Sequence, residues 1–355
     1  MFKAVRLFLK ILSALIAIAL ALCLIAAGGV VYFNSAPEKP PVPNETGMRL
    51  DNDGALFLEV RGGESAYSVG RRLESAGVIR SRYFWNLVSR FGDEFIKTGS
   101  YRIQLPMNQL KIMSILTAGE QLLVRITIPE GVTLKKAARI FEDEGICSEA
   151  DFLAAASSRE ILDNYQVPGT TMEGYLYPDT YLFPYGFPAS RVVRTMADNF
   201  FQRLDSIAPE ASSSMSSSEL NNRVIIASIV EREYRIPEEA AVMAGVFFNR
   251  LRIGMALQSC ATVEYVITEI EGRPHPEQLF SRDLEIRDPY NTYMRPGLPP
   301  GPISAPGETA IKAVFYPVSS DYLYFRLTDL SAGQHYFSRT LDDHIRAGAL
   351  YLKGQ

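Results

Sequence analysis

The sequence predicts an α+β chain in three parts: an N-terminal transmembrane helix, a duplicated strand–helix–helix region and a mixed α+β domain. Three observations predict it. An apolar segment without charge stands near the N-terminus, a strand–helix–helix pattern recurs after 68 residues, and helix and strand periodicities alternate through the second half. Hydrophobic period and segment length together distinguish these kinds of element.

The apolar segment runs from Ile11 to Phe33 and holds no charged residue. A helix of about 20 such residues is long enough to cross a bilayer core. Three basic residues precede it, so the positive-inside bias predicts residues 1–10 in the cytoplasm, 11–33 in the membrane and the rest outside. A cleaved signal peptide is the alternative, although its apolar core would be shorter.

Residues 34–55 are predicted to be a linker, because closely spaced prolines favour an extended polyproline spacer. The formal net charge of the chain is −4, and the exported part is near −7 once the three basic residues before the apolar segment are set aside. This balance argues against nucleic acid as a partner. The three histidines, at 275, 335 and 344, lack the spacing of metal ligands, so no metal is expected.

Residues 56–165 are predicted to contain two copies of one unit, Leu58–Phe84 and Ile126–Phe152. In each copy an alternating strand leads to a glycine turn, a capped helix, a helix-ending glycine and a second helix. The paired positions are Gly63 and Gly131, Ser65 and Thr133, Gly77 and Gly145, and Ser81 and Ser148. The unit resembles the LysM-like modules that bind glycans of the bacterial wall. A structural duplicate without a ligand is an equally weighted alternative.

Residues 166–355 are predicted to form the mixed α+β domain. In the segment Val224–Glu233, Glu231 directly follows an apolar run on a predicted buried helix. Acids are rarely buried unless they are paired or functional. An apolar pocket disfavours the charged carboxylate and raises its pKa, which produces a general acid. The structural alternative is an ion pair with one of the arginines at 232, 235 and 250.

This helix is predicted to span Glu219–Tyr234, and the next helix to begin at Pro237, a favoured first position. A short turn joins them, so an antiparallel pair is expected. Glu233 points about 200° round the helix from Glu231, so the two acids cannot share a role. The serine run at residues 212–218 is predicted to be a loop, and two strands near residues 322–325 and 335–337 a hairpin.

Two further segments have the composition of a binding site. Met172–Pro184 combines Glu173 and Asp179 with three tyrosines. Aromatic faces stack on sugar rings and carboxylates accept hydroxyl hydrogen bonds, so this composition suits a carbohydrate groove. Asp288–Ile303 contains three consecutive turn signals, which predict a rigid loop with exposed backbone groups.

These residues resemble a known family. The strings EGYLYPDTY, ASIVERE, FFNRLRIGMALQS, YNTY, GLPPGPI, YLYF and HYFS occur in this order. Together they resemble the YceG-like endolytic murein transglycosylases over nearly the whole chain, including the membrane anchor and the LysM-like part.

The resemblance implies cleavage of the MurNAc–GlcNAc β-1,4 bond within peptidoglycan strands, with 1,6-anhydro-MurNAc ends and no cofactor. It also implies a single-pass protein of the bacterial cytoplasmic (inner) membrane with its C-terminal part on the outer face. Penicillin-binding synthases are the protein partners that it suggests.

By the same resemblance Glu231 is the catalytic residue. The predicted substrate-binding residues are Glu173, Tyr177, Asp179, Tyr181, Asn249, Gln258, Asn291 and Tyr293. One departure stands at Cys260 and Ala261, where many members have an acid and a proline. Protonated Glu231 would donate to the leaving glycosidic oxygen, and its carboxylate would then take the proton of the C6 hydroxyl that closes on C1.

Three rival functions fit the same residues less fully. A hydrolytic muramidase would pair Glu231 with Glu173 or Asp179 and leave a hydrolysed end. A membrane-tethered wall-binding scaffold would bind glycan through the repeats without cutting it. A partner of the synthesis machinery with vestigial activity is suggested only by the substitution at Cys260 and Ala261.

Overall fold

The computed structural model describes residues 2–38, 42, 47–50, 54–92, 95–121, 123–209, 214–329 and 331–352. The chain divides into two compact units. The first comprises Met1–Leu123 with Pro184–Gly186, and the second comprises Val124–Phe183 with Phe187–Gln355. The predicted linker and the predicted serine loop lie partly outside the described residues.

The first unit contains a three-stranded antiparallel sheet and four helices within the residues described. In chain order its elements are α1 (Phe2–Asn34), β1 (Met48–Leu50), β2 (Ala55–Val60), α2 (Ala66–Ser75), α3 (Arg82–Phe91), β3 (Gly99–Gln104) and α4 (Gln109–Ala118). Strand β2 lies between β1 and β3, with Leu58 opposite Tyr101. Alternate residues of β2 are buried with Trp85 in one apolar core, as the two-residue period of a strand requires.

The second unit carries most of the helices. Its elements are β4 (Leu123–Thr127), α5 (Leu134–Asp143), α6 (Glu149–Ala156), α7 (Arg159–Asn164), β5 (Thr180–Pro184), α8 (Ala189–Ile207), α9 (Ser217–Glu233), α10 (Pro237–Arg252), α11 (Cys260–Tyr265), a π-helix (Val266–Ile270), a 3₁₀ turn (Asp283–Glu285), α12 (Glu308–Phe315), β6 (Tyr324–Asp329), β7 (Gln334–Ser338) and α13 (Leu341–Leu352). Strands β6 and β7 pair antiparallel, which confirms the predicted hairpin. Helices α9, α10 and α12 share one apolar core.

Helix α9 begins earlier than the sequence predicted. Ser216 caps it, and Glu219 completes a capping box by accepting a hydrogen bond from the Ser216 backbone. The predicted serine loop is therefore wrong for Ser217 and Ser218, which lie in the helix, because the Ser216 hydroxyl accepts from the Glu219 N–H and so caps a helix that starts at Ser217. Pro237 is the first residue of α10, as predicted, and α10 packs against α9.

Helix α1 is the one segment of the described chain that is long and apolar enough to cross a membrane. Its apolar part spans Lys10–Asn34 and has a mean hydropathy of 2.8. Its large apolar side chains are exposed, as they would be on a helix facing lipid. The predicted span, residues 11–33, lies within it.

Each of the two predicted copies forms a strand followed by two helices. These are β2, α2 and α3 in the first, and β4, α5 and α6 in the second. Ser65 and Thr133 each accept a hydrogen bond from the backbone three residues on. The turn glycines Gly63 and Gly131 have φ of 77° and 72°, a left-handed conformation that glycine adopts without a steric penalty. The first copy belongs to the first compact unit and the second to the other.

Candidate active site

Glu231 lies in the last turn of α9, directly after the buried run Val224–Val230. One carboxylate oxygen, Oε2, accepts a hydrogen bond from the Gly307 N–H at 2.8 Å. The other, Oε1, accepts one from the Tyr234 hydroxyl at 3.4 Å. Both donors are neutral, so neither compensates a full negative charge on the buried carboxylate.

An arginine partner for Glu231 is contradicted by the contacts. Within the described residues Glu231 makes no ion pair. Arg232 instead pairs with Glu264 at 2.8 Å, and Arg250 donates to two backbone carbonyl oxygens. Glu233 accepts from the Ser259 hydroxyl, so the two acids of this helix end have different surroundings, as their angular separation requires.

Burial raises the pKa of Glu231 to about 7. The negative charge of Glu130 adds to this rise, while the hydrogen bonds from Gly307 and Tyr234 oppose it. Near neutral pH the carboxyl group therefore exists in both protonation states. A group whose pKa lies close to the working pH is the most effective general acid and base.

Two loops place polar groups against Glu231. The loop after β4 pairs with the loop before α12: the Gly131 N–H donates to the Ala305 carbonyl, and the Ala305 N–H donates to that of Val132, both at 2.8 Å. A Cβ built on Gly131 would lie 3.6 Å from Cγ of Glu231. The first loop thereby brings Glu130 beside the second, where Gly307 donates to Glu231.

Ser228, one turn before Glu231, fixes the second loop. Its hydroxyl accepts from the Ile303 N–H at 3.0 Å and donates to the Ile225 carbonyl at 2.7 Å. The Ser304 hydroxyl in turn donates to the Ser228 carbonyl at 3.0 Å. The turn-rich segment predicted to be rigid is thus anchored to α9, which determines where Gly307 lies.

The predicted residues Tyr177, Asp179 and Tyr181 lie together. The Tyr181 hydroxyl donates to the Tyr177 carbonyl at 2.6 Å, and the Arg203 guanidinium lies 5.5 Å from the centroid of the Tyr177 ring. Partial burial favours a higher pKa for Asp179, but hydrogen bonds from the Thr180 N–H and two side chains hold it below its usual value. Asp179 is therefore ionised at neutral pH, in contrast to Glu231.

Glu173 lies in the interior, with a relative exposure of 6%. Both of its oxygens lie 3.0 Å from the Leu134 N–H, at the first turn of α5. Burial raises its pKa to about 8. The geometry gives Glu173 a role in holding the N-terminus of α5, and its predicted contact with glycan stays a prediction.

Asn249 and Asn291 use their amides to hold backbone. Asn249 donates to the carbonyls of Ser320 and Tyr322, at 2.7 and 3.0 Å. Asn291 is fully buried and donates to two carbonyls of the preceding loop. These contacts position segments of the chain, and direct binding of substrate by either amide stays a prediction.

Gln258 and Tyr293 lie near the departure at Cys260. Gln258 has an exposed side chain and a φ of 49°, a strained conformation for a residue with a Cβ. The Tyr293 hydroxyl lies 3.2 Å from Sγ of Cys260. Strained exposed residues are concentrated at functional sites, so this placement favours the prediction for Gln258 without testing it.

Three residues around Glu231 were not singled out by the sequence: Tyr234 and Gly307, which donate hydrogen bonds to it, and Glu130, which acts on it through its charge. Tyr234 stands three positions after Glu231, so helical spacing alone could have suggested it. Glu130 and Gly307 are distant in sequence from α9. Only the pairing of their loops brings them to the acid, and no local pattern encodes that pairing.

Comparison with known proteins gives consistent results. A family model described as the YceG-like family matches residues 58–349. A Bacillus subtilis (strain 168) protein named endolytic murein transglycosylase is 28% identical over 351 residues, which cover 94% of this chain and 92% of that protein. A Streptococcus pneumoniae (strain D39) protein of the same name is 28% identical over 322 residues, and the match spans 82% of this chain but only 58% of its relative.

A crystal structure of a yceG-like protein from Listeria monocytogenes has the same fold. It is 30% identical to this chain, with a TM-score of 0.55. The match covers 82% of this chain and 98% of that one.

Proposed function

The chain belongs to the YceG-like family, and on that premise we propose that it is a lytic transglycosylase that cuts peptidoglycan strands within their length. The bond cut would be the MurNAc–GlcNAc β-1,4 linkage, and the new end a 1,6-anhydro-MurNAc. The name carried by the Bacillus subtilis relative supports this reaction class. The observation that carries the proposal is the half-buried Glu231, held by two neutral donors without an ion pair among the described residues.

In this proposal Glu231 acts first as acid and then as base. The protonated carboxyl donates its proton to the glycosidic oxygen as the bond to C1 breaks. The carboxylate that remains takes the proton of the C6 hydroxyl, whose oxygen forms the new bond to C1. The Gly307 N–H and the Tyr234 hydroxyl stabilise the carboxylate between the two steps.

The surroundings of Glu173 and Asp179, the two partners predicted for a muramidase, support transglycosylation over hydrolysis. A hydrolytic muramidase would need a second carboxylate free to activate water. Glu173 is buried against the Leu134 N–H, and Asp179 is bound by Thr180, Asn199 and Arg203. An attack by the C6 hydroxyl of the same sugar needs no second carboxylate and gains the advantage of proximity.

The test is a digest of purified glycan strands by the full chain in detergent. Glu231→Gln should keep the fold but lower turnover by about 10³-fold, because an amide cannot donate a proton to the leaving oxygen. Glu233→Gln is the matched control on the same helix end and should retain activity, since Ser259 can still donate to an amide oxygen. Turnover by Glu231→Gln near that of the wild type would refute the proposal.

Mass spectrometry of the products separates the remaining functions. An anhydro end is one water lighter than a hydrolysed end, so hydrolysed ends would favour a muramidase. Binding to isolated wall without any shortened product would favour a scaffold.

The pH profile gives an independent check. Because Glu231 must begin protonated and its pKa is about 7, kcat/KM should fall as the pH rises through that value. A profile that stays flat from pH 5 to pH 9 would contradict Glu231 as the acid.

We further propose that α1 anchors the protein in the bacterial cytoplasmic membrane, with residues 1–10 inside and the remainder on the outer face. The apolar stretch Lys10–Asn34 supports the anchor, and the basic residues before it support the orientation. In the same proposal the spacer is the part of the predicted linker before β1, residues 35–47, because Met48–Leu50 belongs to the sheet. Residues 166–355 are proposed to be the catalytic domain. Penicillin-binding synthases would act on the same strands.

The two strand–helix–helix segments are proposed to be LysM-like duplicates. Their matching caps and left-handed glycines support a shared local plan. Labelling of cysteines placed on either side of α1, in intact cells and in inverted membrane vesicles, tests the orientation.

A further inference from the structure

Gly307 lies between two carboxylates. Its N–H donates to Oε2 of Glu231 at 2.8 Å. On its Cα side, a Cβ built on the backbone would come within 2.0 Å of Oε1 of Glu130. The backbone of Gly307 has φ of −84°, which any residue adopts, so its conformation does not require glycine. What requires glycine here is the space that the Glu130 carboxylate occupies.

We propose that Glu130 is a positioning residue of the reaction, which acts through Glu231 by keeping it in its acid form at neutral pH. This inference rests on the proposed function and adds the second carboxylate to it. A negative charge beside an acid disfavours loss of the proton of that acid. The role is electrostatic, so it depends on the charge of residue 130 more than on its shape.

The groups that face Glu231 come from three elements. They are Glu130 on the loop after β4, the Tyr234 hydroxyl at the end of α9 and the Gly307 N–H at the start of α12. Further out, the Tyr177 ring is near both Glu130 and Glu308, with Arg203 above it. Of the described groups that act on Glu231 directly, Glu130 is the one with a charge, and its effect on the pKa of Glu231 has the same sign as that of burial.

The exposure of Glu130 distinguishes its role from that of a structural acid. Its side chain is exposed, so its removal leaves no buried group without a partner. For the same reason its charge is screened by salt. The effect on Glu231 should therefore weaken at high ionic strength, whereas a packing effect would not change.

The test measures kcat and KM for strand cleavage by the full chain from pH 5 to pH 9. Glu130→Gln should move the alkaline limb of kcat to lower pH by about half a unit. Activity should match the wild type at pH 5, where Glu231 is protonated in both proteins. It should be about threefold lower at pH 8, with KM unchanged. Glu130→Lys should move the limb further in the same direction.

Two other variants complete the design. Glu144→Gln removes an exposed acid at the far end of α5 and should leave the profile unchanged. Gly307→Ala keeps the N–H that Glu231 needs but places a methyl group where the Glu130 carboxylate lies, at the end of a flexible side chain. Gly307→Ala should move the alkaline limb of kcat in the same direction as Glu130→Gln. High salt should move the alkaline limb of the wild type in that direction too, because salt screens the charge of Glu130.

Coincident profiles for the wild type and Glu130→Gln would overturn the inference, as would an equal loss of kcat at every pH. Neither result touches the proposed function, which is tested by the turnover of Glu231→Gln, by the chemistry of the product ends and by the fall of wild-type kcat/KM through pH 7. A shift that follows the charge at residue 130 and disappears in salt supports the inference.

Discussion

The two strand–helix–helix segments share a local plan but differ in what surrounds them. In both, a left-handed glycine and a capping hydroxyl lead from a strand into the first helix. In the first segment nothing lies within 4 Å of a Cβ built on Gly63, whereas in the second Gly131 lies against Glu231. Residue 62 of the first copy is glycine, and the corresponding residue of the second is Glu130.

This difference shows how one local structure can serve two purposes. The turn and the cap are local features that each copy forms from its own residues. The acid at position 130 has chemical consequences only because its loop pairs with the loop before α12. Matched substitutions in the two copies therefore separate what the local structure needs from what the site needs.

The largest expected difference concerns the acid beside the first helix of each copy. For the second copy this is Glu173, which lies outside the copy in sequence but accepts from the Leu134 N–H of its first helix, and whose pKa burial raises to about 8. A carboxyl with a raised pKa in the folded state stabilises the fold fully below its ordinary pKa of 4.5, and this contribution is lost as the pH rises through 8. Up to about 4 kcal/mol of unfolding free energy should be lost between pH 4.5 and pH 8, and Glu173→Gln should abolish that loss.

The counterpart in the first copy should behave in the opposite way. Glu64 lies 2.9 Å from Arg72. Burial alone would raise its pKa, but the Arg72 hydrogen bond and charge, with the Arg61 N–H, lower it. Its contribution is therefore present at neutral pH and lost as the pH falls below 4.5. Urea unfolding from pH 3 to pH 9 measures how the unfolding free energy of each variant depends on pH. The same pH dependence for Glu64→Gln and Glu173→Gln would contradict the opposite signs expected for the two acids.

The second difference concerns the turn glycines. Gly63→Ala and Gly131→Ala should each cost about 1 kcal/mol of unfolding free energy, because both residues hold a positive φ. Only Gly131→Ala should also lower kcat, by about tenfold, because relief of the strained positive φ moves the turn that carries Glu130 and packs against Glu231. Strand cleavage and thermal unfolding of the two variants measure both effects. Equal kcat values for both would show that the turn at Gly131 does not shape the site.

The comparison of the two segments also explains which features of the structure the sequence could predict. Apolar period, capping residues and glycine positions predicted both segments, the start of α10 and the hairpin of β6 and β7, because each signal acts within one element. Glu231 stood out for a similar reason, since a charged residue directly after seven buried positions breaks the pattern of its own helix.

The rest of the site depends on tertiary pairing. Glu130 and Gly307 reach Glu231 through backbone hydrogen bonds between two distant loops, which no periodicity records. Glu173 and Asn249 read as ligands in a motif but lie against backbone groups. A sequence motif shows that such residues occur together, but it does not show whether they contact a substrate or support the backbone around the site.

The smallest expected difference between the two copies concerns the helix caps, whose removal should cost both copies a similar unfolding free energy. Ser65→Ala and Thr133→Ala each remove one hydroxyl that accepts from the first turn of a helix, at 3.2 and 3.3 Å. Each should cost about 1 kcal/mol of unfolding free energy. The Thr133→Ala cost should remain after the Glu173→Gln change, because Glu173 binds the N–H of Leu134 and Thr133 that of Lys136. A double-mutant cycle measured by urea unfolding tests this independence, and a coupling energy above about 0.5 kcal/mol would show that the second helix start is held by one network instead of two separate contacts.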